Sequence, residues 1–446
     1  MVNFHDYDKI RLLLVLLIVT TVNISCSRFL EATPDSNLNT ISGLADLQKL
    51  LDHSSHNAEY PAAAQIGGDD YYLTSADWSS MINSNDKNLH IWSEDAVGDD
   101  EWYYCYKKIF EHNIVLEELQ KIKRTEANKE EYNQIKGSAL FLRSYSFYHL
   151  AELFAPQYSP RTLNDQGIVL RVASDINAPS VRASVEETYE RIIKDCLEAQ
   201  SLLPKTKVFN TRPSRAAVWA LLAKVYLATA NYELAAQSAD SSLSYYNYLL
   251  DYNSLDTLAT VPFIPQANTE IVFQSVIRGS SPMLPSICKV DTVLLALYGR
   301  DDLRRKLFYQ RNADGSHRFK GNYNGTRTDI LFNGLAVDEM YLISAECNVR
   351  LDKLSAAMAD INALLVKRYA RDTYVPYEIR DKYAALALII DERRKELAFR
   401  SARWSDLRRF NLEEGLRDTI VRKLNNKQYE LLPNSNQYIL ELTEQP

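Results

Sequence analysis

Apolar residues recur every three or four positions in several long stretches of the chain, a spacing typical of helices that bury one face. One stretch follows Asp99, where three consecutive acids suit the positive end of a helix. Another covers residues 130–154 and ends before Pro156. A third follows Ser184, which stands three residues before Glu187 in a capping box. The pattern therefore predicts a mainly α-helical chain.

Two of these stretches share the spacing of a tetratricopeptide repeat, in which small residues let paired helices approach closely. In the second copy, Ala345 and Ala357 stand twelve residues apart. The first copy reads Trp219, Leu222, Ala223 and Tyr226, with Ala235 twelve residues after Ala223. We predict helical hairpins over about 99–250 and 335–410, the alternative being a chance match at degenerate positions.

Periodicity fades in two segments, about 54–98 and 251–334, where turn residues and aromatic residues are interleaved. Long irregular segments in a chain with only 13 glycines and 14 prolines usually carry function when they are ordered. Within the second segment, the charged run at 301–306 is predicted to form a solvent-exposed helix face.

Composition narrows the possible functions. The 446 residues carry a net charge of −7, which gives no electrostatic basis for binding nucleic acid. Cys105, Cys196, Cys288 and Cys347 lie far apart, without a CxxC pair or a histidine nearby, and are predicted to be buried thiols. We expect neither a metal site nor a cofactor.

The first residues predict export. Residues 12–22 form an uncharged apolar run after two basic residues, which is too short to span a bilayer and typical of a signal peptide. Cys26 follows it in the position of a lipobox cysteine, although Asn23 stands where leucine is usual. We predict a signal peptide at 1–25, a lipid-bearing Cys26 and an extended tether at 26–42; a plain secretory signal is the alternative.

Near the carboxy terminus, paired acids and arginines alternate in the segment 392–409. No nucleophile or histidine accompanies them, so we interpret them as an ion-pair network that holds the carboxy-terminal segment on the repeats.

The segments 26–34, 102–113, 136–143, 182–189 and 392–407 resemble, in order, the conserved blocks of the SusD/RagB family of nutrient-binding outer-membrane lipoproteins. The most specific block is Glu392-Arg393-Arg394-Lys395-Glu396-Leu397-Ala398-Phe399, followed by Arg403-Trp404-x-Asp406-Leu407. Arg400-Ser401 replaces the family's usual Glu-Gly, which affects the expected turn and one ion pair.

The resemblance implies a single SusD-like domain at 43–446, a tetratricopeptide-like helical-hairpin scaffold with a loop-rich ligand-binding region. It also implies a non-enzymatic lipoprotein at the cell surface. Such a protein captures oligosaccharides, or in some members peptides, over a SusC-like TonB-dependent outer-membrane transporter.

A surface glycoside hydrolase is the rival function, with paired carboxylates from Asp69, Asp70, Asp99, Asp100 and Glu101. An intracellular repeat scaffold would require residues 12–22 to form a core helix.

Sugar rings present C–H faces that pack on aromatic rings, and tyrosine adds a hydroxyl group. We therefore predict that exposed aromatic residues of the two irregular segments stack on the ligand; the alternative is that they pack the loops onto the scaffold. The candidates are Tyr71, Tyr72, Trp78, Trp92 and Tyr323.

Overall fold

A computed structural model describes residue 41 and residues 43–444, so the predicted signal peptide, Cys26 and nearly all of the tether lie outside the described residues. The helices are α1 (Leu44–Leu51), α2 (Ala63–Gly67), α3 (Ser75–Ser80), α4 (Ser84–His90), α5 (Asp99–Lys121), α6 (Lys129–Phe154), α7 (Val185–Leu202), α8 (Arg215–Ala228), α9 (Tyr232–Tyr245), α10 (Thr292–Ala296), α11 (Arg304–Phe308), α12 (Val337–Arg350), α13 (Leu354–Leu365), α14 (Lys382–Glu396) and α15 (Ala402–Phe410). The strands are β1 (Tyr71–Tyr72), β2 (Gln166–Val169), β3 (Arg182–Ser184), β4 (Ile271–Phe273), β5 (Lys289–Val290), β6 (Tyr309–Arg311), β7 (His317–Phe319), β8 (Leu335–Ala336), β9 (Ile420–Leu424) and β10 (Lys427–Leu431).

The long helices form an array in which neighbours pack side by side, from α5 through α9 and on to α12, α13 and α14. Ala223 and Ala235 are fully buried where α8 meets α9, and Ala345 and Ala357 are fully buried where α12 meets α13. Because alanine has no side chain beyond Cβ, the paired helices can lie close together at these points. Both predicted hairpins and the mainly helical class are confirmed.

Local sequence signals set the helix starts. The Ser184 hydroxyl accepts a hydrogen bond from the Glu187 amide at 3.1 Å, and the Glu187 carboxylate accepts one from the Ser184 amide at 2.8 Å. The predicted capping box at the start of α7 is therefore confirmed. Helix α5 starts with the three acids, as expected, but Glu101 is buried and accepts hydrogen bonds from the backbone amides of Ala62 and Ala63.

The strands form two-stranded antiparallel sheets, and one of these sheets joins the two irregular segments. Tyr71 lies opposite Val290 and Tyr72 lies opposite Lys289, so β1 and β5 form a short ladder. The Asp291 amide then donates to the Asp70 carbonyl at 2.9 Å. Segments 54–98 and 251–334 are therefore neighbours in space, although they are far apart in the chain.

Strands β9 and β10 form a hairpin that packs against α3. Ile420, Arg422 and Leu424 point inward along β9. The two turn residues, Asn425 and Asn426, have φ angles of 50° and 62°. Asparagine tolerates this left-handed conformation, which tight hairpins need at both central positions.

The prediction that residues 301–306 form an exposed face is wrong at Asp302 and Arg304, which are both buried. The Arg304 side chain is 0% exposed and lies 2.7 Å from a carboxylate oxygen of Asp302, 2.7 Å from Glu392 and 2.9 Å from Glu396. Burial is possible because these carboxylates neutralise the guanidinium, and two of them come from the distant helix α14. The predicted carboxy-terminal ion-pair network is confirmed, since Arg393 pairs with Asp406 at 2.9 Å and Arg409 donates to Glu346 of the repeat helix α12 at 2.7 Å.

Candidate ligand-binding site

An open groove of about 650 Å³ lies where β1 and the end of β5 meet the hairpin β9–β10. We call it the hairpin groove. Its volume falls within the range of small-molecule sites, about 300–1,000 Å³. It is lined by Asp69, Tyr71, Tyr72, Leu73, His90, Asp291, residues 420–424 and Gln428.

Two of the five predicted aromatic residues line this groove. Tyr72 is half-buried and lines the groove. Tyr71 is 2% exposed, and its hydroxyl contacts the Ile66 carbonyl at 2.9 Å and His90 Nδ1 at 2.8 Å. Tyr72 therefore offers a partly open surface, whereas Tyr71 forms the wall behind it.

The other three candidates lie elsewhere. Trp78, half-buried on α3, donates from its indole to the Lys87 carbonyl at 3.3 Å. Trp92 is 3% exposed and donates to the Gly67 carbonyl at 2.9 Å. Tyr323 is 1% exposed.

The exposure that stacking requires is thus missing at Tyr71, Trp92 and Tyr323. The hydroxyl of Tyr323 contacts Tyr252 at 2.5 Å and donates to Glu270 at 2.6 Å, so its polar tip is satisfied inside the protein. Each of the three is buried and has hydrogen-bond partners within its own irregular segment, so these rings pack inside the protein and present no open face for stacking.

Arg394 on α14 lies beneath the groove, between carboxylates that flank β1 and β5. It is 3.0 Å from Asp69 and 3.7 Å from Asp291, and Arg403 binds the other oxygen of Asp69 at 2.6 Å. Burial alone would raise the pKa of Asp69, but its ion pairs with Arg403 and Arg394 lower it to about 2. Asp69 is therefore ionised at neutral pH, and its ion pairs with Arg394 and Arg403 hold the groove wall on the helical scaffold.

Asp70 faces the interior and has a different environment. It is 1% exposed and accepts hydrogen bonds from the Phe399 amide at 2.9 Å and from Gln65 at 3.2 Å. Burial and the neighbouring charge of Asp69 raise its pKa to about 6. A ligand in the groove does not reach this carboxyl group.

The remaining candidate acids of the rival hydrolase also have structural roles. Asp99 accepts a hydrogen bond from the Thr443 amide at 3.0 Å, and Asp100 lies 3.4 Å from Arg278. Of the five acids proposed from the sequence, only Asp69 lines the groove. A glycoside hydrolase needs two carboxyl groups that face one another across the scissile bond. These five acids do not provide such a pair in the groove.

One buried acidic cluster has oxygen atoms close enough to hold a metal ion: Glu270, Asp338 and Glu396, whose ligand atoms lie within 4.8 Å of one another. Arg368 binds Glu270 at 2.6 Å and Glu396 at 2.7 Å, and Arg400 binds Asp338 at 2.8 Å. Arg304 also binds Glu396 at 2.9 Å, so three guanidinium groups lie against the three carboxylates and the cluster is held together by ion pairs.

Arg400 and Ser401 depart from the expected Glu-Gly, and both are accommodated. The Arg400 guanidinium lies 3.9 Å from the centre of the Tyr323 ring, which adds a cation–π contact to its ion pair with Asp338. Ser401 adopts a φ of 60°, the left-handed conformation in which glycine is favoured. The turn before α15 is therefore retained, although serine adopts its backbone conformation less readily than glycine does.

The hairpin was not among the elements predicted from the sequence, and Arg422 explains how it is held. This residue is 6% exposed and donates to the backbone carbonyl groups of His90, Ile66 and Gly68. The alternation of residues 420–424, followed by two asparagines, is the signal that could have identified the hairpin. An inward arginine obscures that alternation.

Two family models match the chain. One, described as "Starch-binding associating with outer membrane", matches residues 28–227, and the other, the SusD family, matches residues 302–443. A relative from Formosa agariphila, SusD-like protein P2, is 25% identical over 385 residues, which cover 71% of this chain and 74% of the relative.

Solved structures show the same fold. A SusD-like carbohydrate-binding protein from Bacteroides vulgatus superposes with a TM-score of 0.67 at 19% identity over 90% of this chain and 95% of that one. A SusD superfamily protein from Bacteroides thetaiotaomicron gives a TM-score of 0.70 at 18% identity over 90% of this chain and 96% of that one. Among the described residues, no helix is both long and apolar enough to cross a membrane.

Proposed function

The chain belongs to the SusD family, whose members associate with the outer membrane, and we propose that it is a cell-surface lipoprotein that captures an oligosaccharide for import. In this proposal, Cys26 carries the lipid anchor, and the bound sugar passes to a SusC-like TonB-dependent transporter. The chain acts by binding and not by catalysis. Peptide is the alternative ligand class.

The observation that supports oligosaccharide binding is the composition of the hairpin groove. Tyr72 contributes a half-buried aromatic side chain, and Val421, 45% exposed, adds apolar surface for the C–H face of a sugar. Gln428 and Lys423 are exposed on the hairpin and provide hydrogen-bond donors, while Asp291 provides an acceptor. Apolar surface beside several hydrogen-bonding groups suits a polyhydroxylated ring.

Titration calorimetry on Tyr72→Ala tests this site. After a glycan array has identified the ligand, we expect the substitution to raise Kd about tenfold, because it removes the stacking surface and one hydroxyl group. Tyr103→Ala is the matched control, since Tyr103 is 60% exposed on α5 and does not line the groove. Equal affinities of Tyr72→Ala and wild type would place the ligand elsewhere.

The rival hydrolase is tested by incubating the protein with the same glycan and measuring new reducing ends. We expect none above the background without protein. Release that disappears in Asp69→Asn, while the variant remains folded, would establish the hydrolase instead.

The transporter is inferred from a physical need as well as from the family. A binding protein outside the barrier cannot move a solute through the outer membrane by itself, and a β-barrel is the architecture that crosses this membrane. Mild-detergent extraction and pull-down on this protein should recover a TonB-dependent transporter. Recovery of the protein alone, while other outer-membrane complexes stay intact, would contradict the proposed partnership.

A further inference from the structure

We propose a second sugar-binding site, separate from the hairpin groove, in a cleft on both sides of residues 434–441. One side is a cavity of about 480 Å³ next to the end of α4, and the other is a cavity of about 250 Å³ next to the end of α6. The two cavities share Ser435, Asn436 and Ile439. We call this pair of cavities the tail cleft.

The first cavity combines an apolar wall with uncharged hydrogen-bonding groups. Leu89 and Leu153 form part of the wall, and Ser93, Asn436 and Gln437 contribute hydroxyl and amide groups. Neither lysine nor arginine is among the described residues that line it, whereas two glutamates are. An anionic ligand would therefore meet only negative charge, which favours an uncharged ligand with many hydrogen-bonding groups.

Two buried polar atoms at the second cavity indicate which kind of ligand group would bind there. Gln157 Oε1, an acceptor, and Nε of Arg408, a donor, are buried and have no hydrogen-bond partner among the described residues. Arg408 is 2% exposed, and its other nitrogens donate to backbone carbonyl groups at the end of α6, including that of Ala155. A hydroxyl group both donates and accepts, so sugar hydroxyls can satisfy an unmet acceptor and an unmet donor in one cavity.

The tail cleft and the hairpin groove both reach the end of α4. Leu89 lines the first cavity of the cleft, and the next residue, His90, lines the groove. Trp92 also lines the cleft, with a φ of 53°, and its carbonyl accepts a hydrogen bond from Gln437 at 2.7 Å. Backbone strain of this kind is maintained only where the surroundings fix it, so the wall of the cleft is preformed.

The experiment uses neutral disaccharides as probes: maltose, cellobiose, laminaribiose, xylobiose and mannobiose. It is done in a Tyr72→Ala background, in which binding at the hairpin groove is expected to be about tenfold weaker. At least one probe should still bind, and adding Asn436→Trp should weaken its binding roughly tenfold or more by filling the cleft. Asn436 is exposed, so the protein should still fold with the larger side chain. Asn177→Trp, at an exposed asparagine outside both cavities, is the matched control.

Two results would overturn the inference. One is that none of the probes binds the Tyr72→Ala protein; the other is that Asn436→Trp and Asn177→Trp behave alike. If no sugar binds but spermidine does, the first of these results assigns the cleft to amines. None of these results bears on the loss of affinity that Tyr72→Ala itself should cause, so failure of this inference is distinguishable from failure of the proposed function.

Discussion

Replacing Arg304 by methionine should destabilise the protein strongly, because the substitution removes the guanidinium group that three buried carboxylates share. Arg304 pairs with Asp302, Glu392 and Glu396, and all four side chains are at most 2% exposed. Glu396 would retain a second arginine, and Glu392 would retain Lys395 at 2.5 Å. Asp302 would keep only Lys395 at 3.6 Å, so it is the carboxylate that loses most.

Breaking a buried ion pair by removing one partner costs about 3–5 kcal/mol, against a typical total stability of about 5–15 kcal/mol. At an m-value of about 3 kcal/mol per molar urea, the midpoint of unfolding should fall by about 1 M or more. Circular dichroism in urea measures this shift. Arg305→Met is the matched control, since Arg305 is the next residue and is exposed, and its midpoint should change little.

A second variant tests whether Asp302 is the carboxylate that loses its ion pair. Adding Asp302→Asn to Arg304→Met should recover part of the lost stability, because it removes the uncompensated carboxylate. The reasoning is refuted if Arg304→Met loses no more stability than Arg305→Met, or if the double variant is less stable than Arg304→Met alone.

Three further changes test other parts of the structure. The raised pKa of Asp70, about 6, means that the wild-type protein loses stability as the pH rises from about 4 to 6, because the buried carboxyl group must ionise. Asp70→Asn should therefore leave the free energy of unfolding unchanged near pH 4 and raise it by on the order of 1–3 kcal/mol above pH 6. Urea unfolding at both pH values measures the difference. Ser401→Gly should stabilise the protein by about 0.5–1 kcal/mol by relieving a φ of 60°, whereas Ser241→Gly inside α9 should destabilise it by a similar amount, as thermal unfolding of the pair would show. Labelled palmitate should enter the wild type and not Cys26→Ser, and incorporation into both would contradict the lipid anchor.

Features encoded within one helix turn, or at a fixed repeat interval, could be predicted from the sequence. The capping box at Ser184 depends on residues three positions apart, and the hairpins depend on alanines twelve positions apart, so a short window contains the whole signal. Burial of a charge has no such signal. Arg304 is buried because its partners at 392 and 396 reach it from another helix, which no window around residue 304 contains.

The same reason explains which part of the site could be predicted. The sequence identified the two irregular segments and Tyr72, but it did not show that Tyr71 and Tyr323 are buried, since an aromatic residue in a loop can face either side. It also missed the hairpin β9–β10, which has no helical spacing. Its inward Arg422 interrupts the alternation by which strands are recognised.

Arginine side chains connect the irregular segments to the helical scaffold. Arg394 binds Asp69 beside β1, Arg400 binds Asp338 and covers Tyr323, and Arg422 binds three carbonyl groups behind the groove. Each contact is directional, so together they fix the position of the groove walls more closely than apolar packing of loops would. Because the groups are largely buried, salt screens these contacts only weakly. Ligand affinity in the hairpin groove should therefore change little with ionic strength, even though arginines and aspartates form its base.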